Sequence, residues 1–299
     1  MRASFAVVLS GLLAVVTLPV AAAAPDWSDV AVALGKPGTQ MQGDVYRVSL
    51  PRSDLHVILD GIELKPALAL GSWLAFRSMD DKAMVMGDLV LTESEISPVM
   101  KKLIEGGIEI TALHNHLLRA QPATFYMHVL GRGDLIKLAS ALHDGLAMSK
   151  TPLGNAARPA SGPAPAQPIE LDTAMIDHTL GAKGKVTGGV YQVGIARAEM
   201  IQDDGMEVSS PMGSAETINF QPTGGGKAAI TGDFVLTAQE VNPVLRALRD
   251  SGIEVTALHN HMLDDQPRLF FMHFWANDDA AKLSRGLRTA LDKVHLARS

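Results

Sequence analysis

The chain has 299 residues, 47% of them hydrophobic, with a formal net charge of −6 and no cysteine. That length suffices for two ordinary domains, each able to bury a core. The acidity argues against a nucleic-acid partner, which calls for a basic face. The lack of cysteine excludes disulfides, thiolate metal ligands and a lipid-modified N-terminal cysteine, so any transition metal must be held by nitrogen or oxygen.

Residues 1–24 read as an export signal: Arg2, an apolar run over residues 5–20, then Ala21 and Ala23 spaced as a cleavage site. An uncleaved membrane anchor is the alternative. No other stretch is long and apolar enough to span a bilayer, so the expected location is the periplasm or the outside of the cell, with no stable span once the signal is removed. Residues 27–34 then suggest a short helix ending at Gly35. Residues 43–48 open the first strand, residues 51–54 turn the chain back, and two further strands are expected at 73–77 and 83–91. Thr92 and Glu95 fit a capping box, and Ser97-Pro98 fits a cap followed by a first-turn proline; either starts a helix that runs to Gly106-Gly107. The same signals recur at Thr237, Glu240 and Asn242-Pro243. Glu95 and Glu240 are thereby candidates for support of a nearby site or for acid/base work, although capping explains them adequately.

Residues 111–116 read Thr-Ala-Leu-His-Asn-His, and residues 256–261 repeat them letter for letter. One further histidine follows each copy, His128 and His273. Apolar and polar residues roughly alternate from 108 to 116, which puts Ile108, Ile110, Ala112, His114 and His116 on one strand face. A loop containing Gln121-Pro122 leads to a second alternating run over residues 125–130. A hairpin with His114 opposite His128 would place all three imidazoles on the same face, and a one-residue slip would turn His128 away. Three imidazoles with an open fourth position suit zinc and related divalent transition metals. His259, His261 and His273 permit the same arrangement in the second copy, with His259 opposite His273. The bland alternative is a set of hydrogen-bonded strand histidines, repeated because a repeated domain repeats its core. A contiguous tripeptide in a strand is not the ββα nuclease signature that its letters spell. Phe125 and Met127 read as core, and His56, His143, His178 and His295, which have no partner at matching positions, as ordinary histidines.

Leu135, Leu138 and Leu142 recur at helical spacing and close the first unit. Residues 151–168, with Pro152, Pro159, Pro163, Pro165 and Pro168, cannot build a core and read as a semi-extended linker. The units are thus residues 25–150 and 169–299. The second replays the first: the offset relating His259 to His114 also relates Gly232-Asp233 to Gly87-Asp88, Pro243 to Pro98 and Gln266-Pro267 to Gln121-Pro122. The copies differ just past the histidines, where Arg119 stands in the first and Asp264 and Asp265 in the second. Either aspartate could supply a metal ligand or general base, and Arg119 could bind an anionic group; the alternative is that all are solvated loop residues.

Strands clustered around single helices predict an α+β fold: two tandem homologous domains, each a mostly antiparallel sheet with helices packed against it. A cupin-like barrel, which also uses His-x-His, is disfavoured by the capped helix just before the histidine strand. The twin Gly-Asp-(Leu/Phe)-Val-Leu-Thr and Thr-Ala-Leu-His-Asn-His segments, each followed by Gln-Pro and Met-His, resemble the LppY/LpqO-type family of exported bacterial proteins. The resemblance implies an envelope-associated protein and supplies no catalytic residue; unlike the lipoproteins that gave the family its name, this chain lacks an anchoring cysteine. Two functions follow as expectations. One is a zinc-type metalloprotein, as far as a hydrolase in which three imidazoles make metal-bound hydroxide available against an envelope or extracellular small molecule. The other is a binding module that captures a metal or small ligand without turnover. No phosphate loop, dinucleotide fingerprint or nucleophilic serine motif competes.

Overall fold

The computed structural model describes residues 26–79, 82–154 and 168–297. The expected signal segment and most of the expected linker lie outside the described residues.

The first lobe runs α1 (Trp27–Leu34), β1 (Thr39–Met41), β2 (Val45–Pro51), β3 (Gly71–Met79), β4 (Lys82–Thr92), α2 (Glu93–Glu105), β5 (Glu109–His114), β6 (Thr124–Arg132) and α3 (Leu135–Leu146). The second repeats it as α4 (Thr173–Leu180), β7 (Lys185–Thr187), β8 (Val190–Ala196), β9 (Ala215–Gly224), β10 (Lys227–Thr237), α5 (Ala238–Asp250), β11 (Glu254–His259), β12 (Leu269–Asp279) and α6 (Ala280–Leu291). Each lobe is α+β, with one six-stranded sheet in the orders β1-β2-β3-β4-β6-β5 and β7-β8-β9-β10-β12-β11. Every neighbouring pair is antiparallel. The histidine strands β5 and β11 are edge strands.

Local chemistry explains the helix ends. Asp26 caps α1 by accepting from Ser28 N at 2.9 Å, and Gly35 ends it in the left-handed region at φ 76°. In α2 the Glu95 carboxylate accepts from Thr92 N at 2.8 Å, and in α5 Glu240 accepts from Thr237 N at 2.7 Å. Of the two start signals, Thr92 prevails, so Pro98 lies inside the helix and not in its first turn.

One face of each sheet packs on its helices. In the first lobe Val85, Leu89, Leu91, Met127 and Val129 meet Val99, Leu103, Leu138 and Leu142. The residues between them, Met84, Met86, Asp88 and Val90 on β4 and Tyr126, His128 and Leu130 on β6, share the other face by strand alternation. That face is also covered, by the other lobe. Met84, Met86 and Leu130 pack with Ile201, Met206, Val208 and Met212, while Val57, Leu64 and Leu68 pack with Val190, Ala229 and Trp275. Each lobe thus sends the segment between its second and third strands across the seam. In the first lobe this segment holds a small hairpin, Ile58–Leu59 with Ile62–Glu63, and the one-turn helix Pro66–Ala69. Polar bonds close the seam: Gln221 Nε2 donates to Glu63 O at 2.8 Å, Asn219 Nδ2 to Leu68 O at 3.1 Å, and Arg77 pairs with Glu207 at 2.9 Å.

Candidate metal centre between the lobes

The histidines reach the seam through a bulge. On β5 the register steps from Ile110 opposite Val129 to Ala112 opposite His128, leaving Thr111 as an extra residue, and β11 bulges at Thr256 in the same way. The bulge inverts the alternation read from the letters. Ile108 and Ile110 face the helices with Val129, whereas Ala112 and His114 face the seam with His128. It also corrects the register: His128 lies opposite Ala112, and His114 opposite Tyr126; in the second lobe His273 lies opposite Ala257 and His259 opposite Phe271. The shift is two residues, an even number, so the three imidazoles still share one face.

The six imidazoles form one cluster and pair across the seam. Ring centroids are 3.5 Å apart for His114 and His259, 3.5 Å for His116 and His273, and 3.6 Å for His128 and His261. Tyr126 stacks on His116 at 3.4 Å and Phe271 on His261 at 3.3 Å, walls that fix the ring planes. The atoms able to ligate one ion belong to sets that mix the lobes: His114, His116, His259 and His273 form one, and His128, His259 and His261 another. Two more sets add a carboxylate and each stays within one lobe, Asp88 with His116 and His128 in the first and Asp233 with His261 and His273 in the second. The expected separate trio in each lobe is therefore corrected: among the described residues no convergent set consists of the three histidines of a single lobe. The cause is the seam, which brings the other lobe's rings closer than the third ring of the same lobe.

Asp88 and Asp233 are the site residues that sequence reasoning missed. They lie on β4 and β10 opposite His128 and His273. In the sequence both stand out only as part of the repeated Gly-Asp. The usable signal was a carboxylate in the seam-facing row of an otherwise apolar strand, in both copies. The preceding glycines matter too. A Cβ on Gly232 would sit 1.8 Å from Thr217 O, and one on Gly87 2.5 Å from Leu74 Cδ2, so neither position has room for a side chain. The Gly232 carbonyl lies 3.0 Å from His273 Nδ1, and Gly87 makes the matching backbone bond to His128. A ring that donates from Nδ1 to a carbonyl carries its lone pair on Nε2, the nitrogen turned into the seam. Asp233 Oδ1 is also 2.9 Å from His273 Nδ1, but that nitrogen has one proton and Gly232 O takes it.

The polar accounting inside the seam is incomplete. Both nitrogens of His114, Nε2 of His116, His128 and His261, and Oδ1 of Asp88 and Asp233 are buried without a hydrogen-bond partner. One internal contact exists, His273 Nε2 to His259 Nε2 at 2.8 Å. Burial keeps the rings neutral: it pulls His114 down to about 2 and His259 to about 4, and it holds His116, His128 and His261 well below the ordinary imidazole value, with the neighbouring rings adding to the effect. Burial pushes the Asp88 carboxyl well up, and Asp233 pushes it further. The seam thus presents neutral nitrogen lone pairs and carboxylate oxygens that no protein group satisfies. A small pocket opens beside it, lined by Trp73, Met86, His128, Met212, His261 and Phe271.

The other candidates lie elsewhere. Glu95, besides its cap, accepts from Arg52 Nη1 at 2.9 Å and Lys150 N at 2.8 Å, and Glu240 holds Arg197 at 3.0 Å. Burial raises both carboxyls, but the Thr92 N–H and then Arg52 hold Glu95, and Arg197 holds Glu240, below the ordinary glutamate value. Asp265 is buried and accepts from Leu269 N at 2.6 Å, and Asp264 is exposed. Arg119 does bind anionic groups, but they are the chain's own: Asp60 at 3.0 Å and, across the seam, Glu254 at 2.7 Å. Neither these residues nor His56, His143, His178 and His295 enter a convergent set.

No curated protein matches the chain. Among solved structures, a trimeric bacterial microcompartment shell protein, PduB, aligns over 84% of this chain and 88% of its own at 11% identity, with a TM-score of 0.20, too low to bear on fold or function. No helix of the described residues is long and apolar enough to cross a membrane. A family model matches twice, over residues 28–148 and 174–293, once on each lobe. This chain belongs to the family described as Domain of Unknown Function (DUF1259), present as a tandem pair.

Proposed function

We propose that this chain is a metal-binding protein whose divalent transition ion is held in the seam by His114, His116, His128, His259, His261 and His273. One observation carries the reading: buried, neutral imidazole nitrogens from both lobes converge with no hydrogen-bond partner. Leaving a buried polar atom unsatisfied costs on the order of 1–3 kcal/mol each, and a cation offsets that cost for several atoms at once. Nitrogen and carboxylate donors without thiolate suit zinc first, then copper, nickel, iron or manganese.

Binding without turnover is favoured by burial, since His128 and His273 are 3% and 1% exposed. A hydrolytic role is the second reading, favoured by the pocket against His128 and His261. When bound, the ion would supply a Lewis acid and a water of lowered pKa. The chain's own part would be to orient the rings through the Gly87 and Gly232 carbonyls and to exclude bulk water with Trp73, Tyr126 and Phe271. Export to the periplasm or beyond, signalled by residues 1–24 and by the LppY/LpqO-type likeness, belongs to the same proposal, with a small molecule or envelope component as the partner.

Elemental analysis of protein purified from its native compartment tests the reading. At least one divalent transition ion per chain is expected. The His114→Ala/His116→Ala variant should lose the ion of the set completed by His259 and His273, and His259→Ala/His273→Ala, in the other lobe, should lose it as well. Protein that is metal-free, and whose thermal stability zinc does not change, would overturn it.

A further inference from the structure

The lobe duplication exchanges His114 with His259, His116 with His261, His128 with His273 and Asp88 with Asp233; it maps the two carboxylate sets onto each other and carries the four-histidine set onto the three-histidine one with His114 added. Under this exchange the cross-seam pair His116 and His273 maps onto His261 and His128, while His114 and His259 map onto each other. The cluster therefore has two equivalent ends and a shared middle.

The carboxylates span the ends. Asp88 Oδ2 is 3.9 Å from Nε2 of His116, at one end, and its other oxygen, Oδ1, is 3.9 Å from Nε2 of His128, at the other. Both distances are too long for hydrogen bonds, yet two atoms ligating one ion at about 2.0–2.1 Å each lie within roughly 4 Å of one another. Asp233 falls in a set with His261 and His273, again one histidine from each end, although its Oδ1 approaches His273 at Nδ1, 2.9 Å away, and not at Nε2. Asp88 is 6% exposed, and Oδ1 of each aspartate has no hydrogen-bond partner. A buried carboxylate so placed is costly unless cations face it.

We infer that the seam holds two divalent ions: one at the His116 and His273 end, one at the His128 and His261 end, with His114 and His259 between them, Asp88 bridging the pair and Asp233 completing the set of His261 and His273. This rests on the metal reading above and adds its stoichiometry and two ligands.

Zinc titration of chelator-treated full-length protein, followed by elemental analysis, tests it together with electron paramagnetic resonance of the manganese(II)-loaded wild type. Two zinc ions per chain are expected, with an exchange-coupled manganese pair. Asp88→Asn/Asp233→Asn should weaken the second equivalent at least tenfold while circular dichroism stays unchanged. One ion per chain, or two uncoupled ions, would overturn the two-ion centre and leave the metal reading standing. Two ions bound equally well by the double variant would overturn the bridging role, and no metal at all would overturn both. The wild-type resonance spectrum decides the two-ion question even where the double variant does not fold.

Discussion

Five imidazoles held neutral by burial in one seam, those of His114, His116, His128, His259 and His261, make the metal-free protein sensitive to acid. His114 and His259 titrate in the fold at about 2 and about 4, below the ordinary imidazole value of 6.5. Between those values the unfolded chain takes up protons that the folded one refuses, so stability present above pH 6.5 is lost as the pH falls. The thermal midpoint of chelator-treated protein should therefore drop from pH 7 to pH 5; a midpoint unchanged over that range would contradict the burial of neutral rings. Gly232 is a second residue-scale test. With Thr217 O only 1.8 Å from a would-be Cβ, Gly232→Ala should destabilise by about 2–4 kcal/mol in denaturant unfolding, and a loss below about 0.5 kcal/mol would contradict the close strand approach. At this scale the sequence was readable for the histidines, whose repetition stands out, and less so for Asp88 and Asp233. A carboxylate in an apolar strand becomes a ligand candidate only once the face it shares with His128 or His273 is known to be covered.

At the scale of elements, the caps are anchors and not chemistry. Arg52, with a fully buried side chain, joins Val90 O, Asp54 and the α2 cap Glu95, and Arg197 repeats this with Val235 O, Glu199 and Glu240. Removing one partner strands a buried charge, so Arg52→Leu should cost about 3–5 kcal/mol with no change in zinc per folded chain. Loss of zinc at unchanged stability would instead place Glu95 in the site. Thr92, Glu95, Thr237 and Glu240 were legible because a capping box is local, complete within four letters. The bulge at Thr111 was not. An extra residue on an edge strand is set by the partner strand and the seam, and Thr111 Oγ1 donates across it to His261 O. The letters alternate through the bulge without marking it, so alternation alone puts Ile108 and Ile110 on the histidine face.

At the scale of the molecule, the repeat announced two lobes but not their embrace. Covering the second face of each sheet depends on residues far apart in the chain, such as Leu68 with Ala229 and Met86 with Met212, and no periodicity encodes such pairings. The interlocked seam predicts that both lobes unfold together: calorimetry of the loaded protein should give one transition, and two well-separated ones would contradict a shared core. Arg119, exposed at the rim between Asp60 and Glu254, should matter little, with Arg119→Ala leaving the thermal midpoint nearly unchanged. The central claim is that the metal belongs to the seam and not to either lobe. Anomalous diffraction at the zinc edge from crystals of the zinc-loaded chain tests this most directly. The expected result is anomalous density between the sheets, within bonding distance of histidines from both halves. Density bonded to one lobe alone, or none among these rings, would contradict it.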